Sequence, residues 1–102
     1  MRNSVVIALG AMLVAAAPAL QAADAAAGKT KAAGCAGCHG LNGMSNNPMY
    51  PNLAGQKEIY LVKAMKDYRD DHRKDPMMGS MVKGMSDGDF ADLAAFYASQ
   101  KP

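Results

Sequence analysis

Cys35 and Cys38 stand three residues apart with His39 directly after the second, in the run Cys35-Ala36-Gly37-Cys38-His39. Two thiols at that spacing beside an imidazole are the set that attaches a c-type haem: each sulfur adds to one vinyl group, and the histidine rises under the porphyrin face as an axial iron ligand. The predicted cofactor is one covalently bound haem c on Cys35, Cys38 and His39. Two other chemistries use the same residues. A Cys-x-x-Cys pair serves as a disulfide redox centre, but within an alternating strand and helix pattern that this sequence lacks. It also makes half of a zinc site, yet these are the only two cysteines, and His72 follows His39 by 33 residues instead of in a short paired spacing.

A low-spin electron-transfer haem needs a second ligand on the face opposite the histidine, and thioether sulfur is favoured where the potential is high. Met77, Met78, Met81 and Met85 cluster downstream of His39. One methionine in such a place is ordinarily core filling; four in one stretch predict that one of them reaches the iron. With both axial positions filled by protein, oxygen and peroxide have no open site. The expected function is then one-electron transfer, and the chain is not expected to be an enzyme.

Around these residues the sequence places helices and loops. Asp24 is a suitable N-cap for a first helix from Ala25 to about Ala33, which delivers the chain into the cysteine pair. Gly34, Gly37 and Gly40 crowd that site, where small residues let a backbone approach a flat ring closely or simply turn. From Leu41 to Gly55 the composition shifts to Asn, Gly, Pro and Ser, as in a loop. Glu58 opens a second helix in which Ile59, Val62 and Met65 share a face, extended by Leu61 and Tyr68, with Lys63, Lys66, Asp67 and Asp70 opposite. Residues 71–84 read as irregular, because Pro76 and Gly79 interrupt any long helix. Ser86 and Asp89 form a capping box with Asp in place of Glu, and Phe90, Leu93, Ala94 and Tyr97 follow at helical spacing. The fold class is all-α, with about three main helices.

The chain ends and the charge narrow the setting. Met1-Arg2-Asn3 is a short basic start, Val5 to Ala17 is an apolar run of 13 residues, and Ala22 or Ala23 suits a signal peptidase. That run falls short of the roughly 20 residues that span a bilayer. Residues 1–22 are therefore expected to be a cleaved signal and residues 23–102 one exported domain, without stable membrane insertion. At 80 residues such a domain buries little apolar surface and gains from a staple, a role that a covalent haem fills. Loss of Arg2 leaves ten basic residues against nine acidic, a formal +1. Nucleic acid is not an expected partner.

Four segments then match a known family in order: Cys35-Ala36-Gly37-Cys38-His39-Gly40, Pro51-Asn52-Leu53-Ala54-Gly55-Gln56, Asp75-Pro76-Met77-Met78, and Ser86 through Tyr97. Over nearly the whole mature chain they resemble the small class I cytochromes c, nearest the c4 and c553 branch, as one of its single-haem forms or as half of a double-haem one. The resemblance implies helices wrapped around one haem, with the first and last packed across each other. It places the axial methionine eight residues before the serine that opens the last helix, which is Met78, with Met81 next and Met77 third; Met85 becomes core. It makes Pro51 the residue whose carbonyl accepts the histidine ring N–H, a bond that orients the imidazole and raises its donor strength. It also implies a monomeric periplasmic shuttle between a membrane quinol-oxidising complex and a terminal oxidase or reductase.

The sequence departs from relatives at Asp70-Asp71-His72, where a helix-ending glycine is usual, so the second helix lacks its customary left-handed stop. Arg73 is a candidate neighbour for a haem propionate, or a solvated surface arginine. Lys57, Lys63 and Lys66 are candidates for a docking face, with acids interleaved. Other functions use the same parts: a haem gas sensor or small peroxidase if the methionine is displaceable, a Cu(I) carrier on the methionine-rich segment, or an electron-transfer subunit of a larger periplasmic enzyme.

Overall fold

The Asp24 side chain accepts the backbone N–H groups of Ala26 and Ala27 and so starts α1, Ala25–Lys31. The computed structural model describes residues 23–102 together with Asn3, Ser4 and Gly10, so the expected signal at residues 1–22 lies almost wholly outside the described residues. α1 continues through one 3-10 turn, Ala32–Gly34, into the short α2, Ala36–His39. A loop then leads to α3, Glu58–Arg69, followed by α4, Pro76–Val82, and α5, Asp87–Ala98. Among the described residues no strand occurs and no helix is long and apolar enough to cross a membrane. The fold is the all-α one expected.

α5 is the element on which the rest is built. Ser86 accepts the Asp89 N–H while the Asp89 carboxylate accepts the Ser86 N–H, so the capping box predicted from sequence is formed. Its buried stripe is Phe90, Leu93, Ala94, Phe96 and Tyr97, with Phe90 and Leu93 fully enclosed. α1 and α3 both pack on this helix. The crossing with α1 is tight at Gly28, where a Cβ would lie 2.6 Å from the Asp92 carbonyl carbon and 2.9 Å from Phe96 Cβ. Only a residue without a side chain admits that approach. The crossing is also clamped by charge: Lys31 reaches Asp89 at 2.9 Å and Asp92 at 2.6 Å, and Asp92 accepts the Asp24 N–H as well.

α3 contributes Leu61 to the core, with Val62 and Met65 packed beside it. Ile59, expected on that face, is 87% exposed. At about 100° per residue Ile59 stands roughly 120° around the helix from Met65, which carries it off the apolar face. The helix does find a left-handed stop: Asp71 takes φ 61°, and the His72 N–H bonds the Asp67 carbonyl at 2.8 Å. That is the long bond of a Schellman ending, with aspartate where glycine is usual.

The segment read as irregular contains α4. Pro76 occupies the first helical turn, where its missing N–H costs nothing, and the Asp75 side chain accepts the Met77 and Met78 N–H groups at 3.0 Å each. A residue expected to interrupt a helix instead begins one. Gly79 lies inside it.

Candidate haem site

The approach to the cysteine pair is fixed by backbone geometry. The 3-10 turn ends at Cys35, whose N–H bonds Ala32 O at 2.8 Å, and the His39 N–H bonds Cys35 O at 2.9 Å. Cys35, Cys38 and His39 are thus presented within little more than one turn of helix. Both cysteines are free thiols and half-buried. Gly40 ends the turn at φ 81°, and a Cβ there would meet the Met44 carbonyl carbon at 2.8 Å. The chain can reverse at that point only because this residue is glycine.

Among the described residues His39 is the one buried polar or charged residue, at 7% exposure. Its Nδ1 lies 2.9 Å from the Pro51 carbonyl oxygen. A carbonyl only accepts, so Nδ1 carries the proton and Nε2 keeps its lone pair for a metal. The Pro51 carbonyl is held in turn by the loop around it. The Asn52 side chain accepts the Ser45 N–H at 2.7 Å, and the Leu53 N–H bonds Gly43 O at 2.7 Å. The Gly55 N–H bonds Tyr97 O at 2.9 Å, which ties the loop to the end of α5. Tyr50 approaches the His39 ring edge-on at 6.3 Å between centroids.

The methionines divide by position on α4. Met78 is half-buried, whereas Met77 and Met81 are about half exposed. Met81 nevertheless approaches the haem-motif segment, since its methyl lies 3.9 Å from where a Cβ on Gly34 would be. Met85 packs against the core cluster, the role expected for it. Among the described residues no three of His, Cys, Asp and Glu gather as a metal site would require. His72 is exposed, 3.9 Å from Asp67.

Arg73 lays its guanidinium 4.7 Å over the Tyr68 ring, with one nitrogen 3.5 Å from the Tyr60 hydroxyl. The lysines of α3 are partly neutralised, Lys63 by Asp67 and Lys66 by Asp87 at 3.7 Å. Arg69, which the sequence did not single out, ties Asp70 and Asp87 together and stacks 5.0 Å over Phe90, closing α3 onto α5.

Tyr97 completes the site, and sequence reasoning placed it only as core. Its hydroxyl is the one buried side-chain oxygen or nitrogen among the described residues without a partner. It stands beside the Cys35 thiol. Burial pushes both groups above their ordinary values, the Cys35 thiol and the Tyr97 hydroxyl alike. A buried histidine with one nitrogen free, two adjacent thiols and an unpartnered hydroxyl next to one of them fit a covalently attached haem. The donors are soft sulfur and imidazole, as that iron requires.

The comparisons with known proteins agree. The Cytochrome c family profile matches residues 25–101. Cytochrome c-554(548) of Halomonas halodenitrificans is 48% identical over 83 residues, covering 78% of this chain and all of that protein. Cytochrome c4 of Pseudomonas aeruginosa is 46% identical over 80 residues, but this chain spans only 40% of it. The crystal structure of reduced recombinant cytochrome c4 from Pseudomonas stutzeri superimposes with a TM-score of 0.75 at 42% identity, over 78% of this chain and 47% of that one. The chain therefore spans about half the length of the cytochrome c4 relatives and the full length of the Halomonas protein.

Proposed function

As a member of the class I c-type cytochromes, a family of electron carriers with covalently bound haem c, this chain is one, we propose, that works as a single-haem shuttle in the bacterial periplasm. Cys35 and Cys38 would supply the two thioether bridges, and His39 Nε2 and the Met78 sulfur would hold the iron. The observation that carries this reading is the 2.9 Å bond from His39 Nδ1 to the Pro51 carbonyl. It fixes the tautomer and turns the free nitrogen outward from that bond, as a ligating histidine needs.

The haem, when bound, supplies an iron that gains and loses one electron. The residues of this chain decide how. The Pro51 carbonyl holds the imidazole in one orientation, so the ligand has no rotation to reorganise when the charge changes. Thioether donation from Met78 and burial of the site both favour the less charged ferrous state and so raise the potential. Were His39 and Met78 both to hold the iron, small ligands would find no open site and electron exchange would be the chemistry left. Export fits the apolar run at residues 5–17. Resemblance supports a quinol-oxidising complex as donor and a terminal oxidase or reductase as acceptor.

Visible spectroscopy of the purified protein tests the reading. Haem should survive acid–acetone extraction, the ferric protein should show the weak red-edge band of sulfur ligation, and the reduced protein should not bind carbon monoxide at neutral pH. Carbon monoxide binding would move the assignment to a gas sensor or small peroxidase. Met78→Ala should abolish the band while Met81→Ala and Met77→Ala keep it.

A further inference from the structure

Tyr97 sits at 3% exposure at the junction of three pieces of the site. Its carbonyl takes the Gly55 N–H at 2.9 Å and the Gln100 N–H at 3.1 Å. Its ring lies 5.0 Å from that of Phe96, and a Cβ on Gly43 would touch it at 2.8 Å. The ring is thus hemmed in and cannot swing its hydroxyl out to water. Yet that hydroxyl has no well-formed hydrogen bond, and an unpartnered buried donor is destabilising. Cys35 packs against the same core cluster, and its thiol and the Tyr97 hydroxyl are near enough to influence each other's proton affinity.

A thiol and a hydroxyl side by side can share one hydrogen bond in either direction, because each carries a hydrogen. A sulfur bonded to two carbons has none. It remains a weak acceptor, and only one direction is left. We propose that Tyr97 is a positioning residue for the haem-bearing cysteine, its O–H donating to Cys35 Sγ once that sulfur is a thioether. The inference rests on the reading that Cys35 carries haem. The bond fixes the side-chain rotamer of one of the two bridges. It also draws electron density from the edge of the macrocycle, which stabilises the ferrous state.

Both Cys35 and Tyr97 feel the contact: each shifts the other's proton affinity, although burial is the larger cause for both. No second acceptor for the hydroxyl occurs among the described residues. The arrangement makes opposite predictions for two states of one atom. If the hydroxyl is unpartnered in the working protein, removing it relieves a penalty and stability rises. If it donates to the thioether, removing it loses a hydrogen bond and stability falls.

Tyr97→Phe in the haem-loaded protein separates these, since it deletes one oxygen and leaves the ring. We expect the folded-to-unfolded ratio from urea titration to fall about fivefold, the loss of one hydrogen bond. We expect the midpoint potential to fall as well, which a purely structural packing role would not produce. A variant as stable as the parent or more so, or an unchanged potential, overturns the proposal. Pyridine haemochrome analysis of the parent comes first: if it shows no covalent haem, it is the haem reading that has failed, whereas haem present with an indifferent Tyr97→Phe counts against this inference alone.

Discussion

Gly28→Ala should be among the most damaging single-methyl additions in this protein. The new Cβ would sit 2.6 Å from the Asp92 carbonyl carbon and 2.9 Å from Phe96 Cβ. Carbon atoms in contact prefer about 3.5–4.0 Å, so the α1 and α5 axes must part by roughly 1 Å. Both obstacles belong to or adjoin backbone, and neither can rotate away. Overpacking a tight core costs typically ~1–3 kcal/mol, and this geometry belongs at the upper end of that range. Alanine gives back ~1 kcal/mol of helix propensity relative to glycine. The net loss is then about 2 kcal/mol, which for a domain of this size lowers Tm by roughly 10 °C. Urea unfolding of the haem-loaded protein followed by helical circular dichroism measures it. Gly84→Ala is the control, because a Cβ there meets nothing within 4 Å and φ is not positive. If Gly28→Ala proves as stable as Gly84→Ala, the close crossing is not what holds the two helices and the packing argument fails.

The Lys31 cluster should make stability depend on pH in a defined way. Asp92 is held below its ordinary value chiefly by Lys31, and Asp89 first by the Ser86 N–H and then by Lys31. Both carboxylates bind protons less readily when folded, so their contribution is complete above about pH 4 and fades as pH falls through their folded values. Lys31, raised above 10.5 by Asp92 and then Asp89, contributes fully below that pH and is lost on deprotonation. Lys31→Met should therefore be less stable than the parent at pH 7 and indistinguishable from it once both carboxylates are protonated; a gap independent of pH would refute the electrostatic account. Asn52→Ala removes the acceptor for the Ser45 N–H beside Pro51 and should cost about 1 kcal/mol, read by urea titration. Asp75→Ala should cost ~0.5–2 kcal/mol by uncapping α4, and it should weaken the red-edge sulfur band if that helix presents the ligand.

Much of this arrangement could be read in the residues. The Cys35-Cys38-His39 spacing, the Ser86–Asp89 box and the α5 stripe are local patterns, and local physics decides them. Three features escaped because they depend on contact between distant segments. Gly28 looks like a weak point in a helix, and only the α5 backbone behind it shows why it must lack a side chain. Ile59 satisfied an apolar spacing by one neighbour but not by the phase of the whole helix, which Leu61, Val62 and Met65 set. Tyr97 was legible as a core aromatic, whereas the meaning of its hydroxyl needs Cys35 beside it.

The fourth departure bears on which methionine would reach the iron under the proposed ligation. Had residues 76–82 been irregular, Met77, Met78 and Met81 would compete on nearly equal terms, each able to swing toward the metal. A helix removes that freedom. Met77 and Met81 stand about 40° apart around α4, while Met78 lies about 100° from Met77 and about 60° from Met81, so each sulfur leaves the helix in its own direction. The phase is set where the helix starts, and that point is fixed by Pro76 in the first turn with Asp75 accepting the Met77 and Met78 N–H groups. Ligand choice then becomes a consequence of a cap and not of a methionine's own affinity. It follows that Asp75→Ala and Met78→Ala should act on the same property by different routes. Met78→Ala deletes the sulfur, whereas Asp75→Ala lets the first turn fray, so that Met81, already near Gly34, can substitute for it. In the double variant Asp75→Ala with Met78→Ala, a red-edge band should reappear in part, and it should vanish again when Met81→Ala is added. A double variant as bandless as Met78→Ala alone would mean that the cap does not govern which methionine reaches the iron.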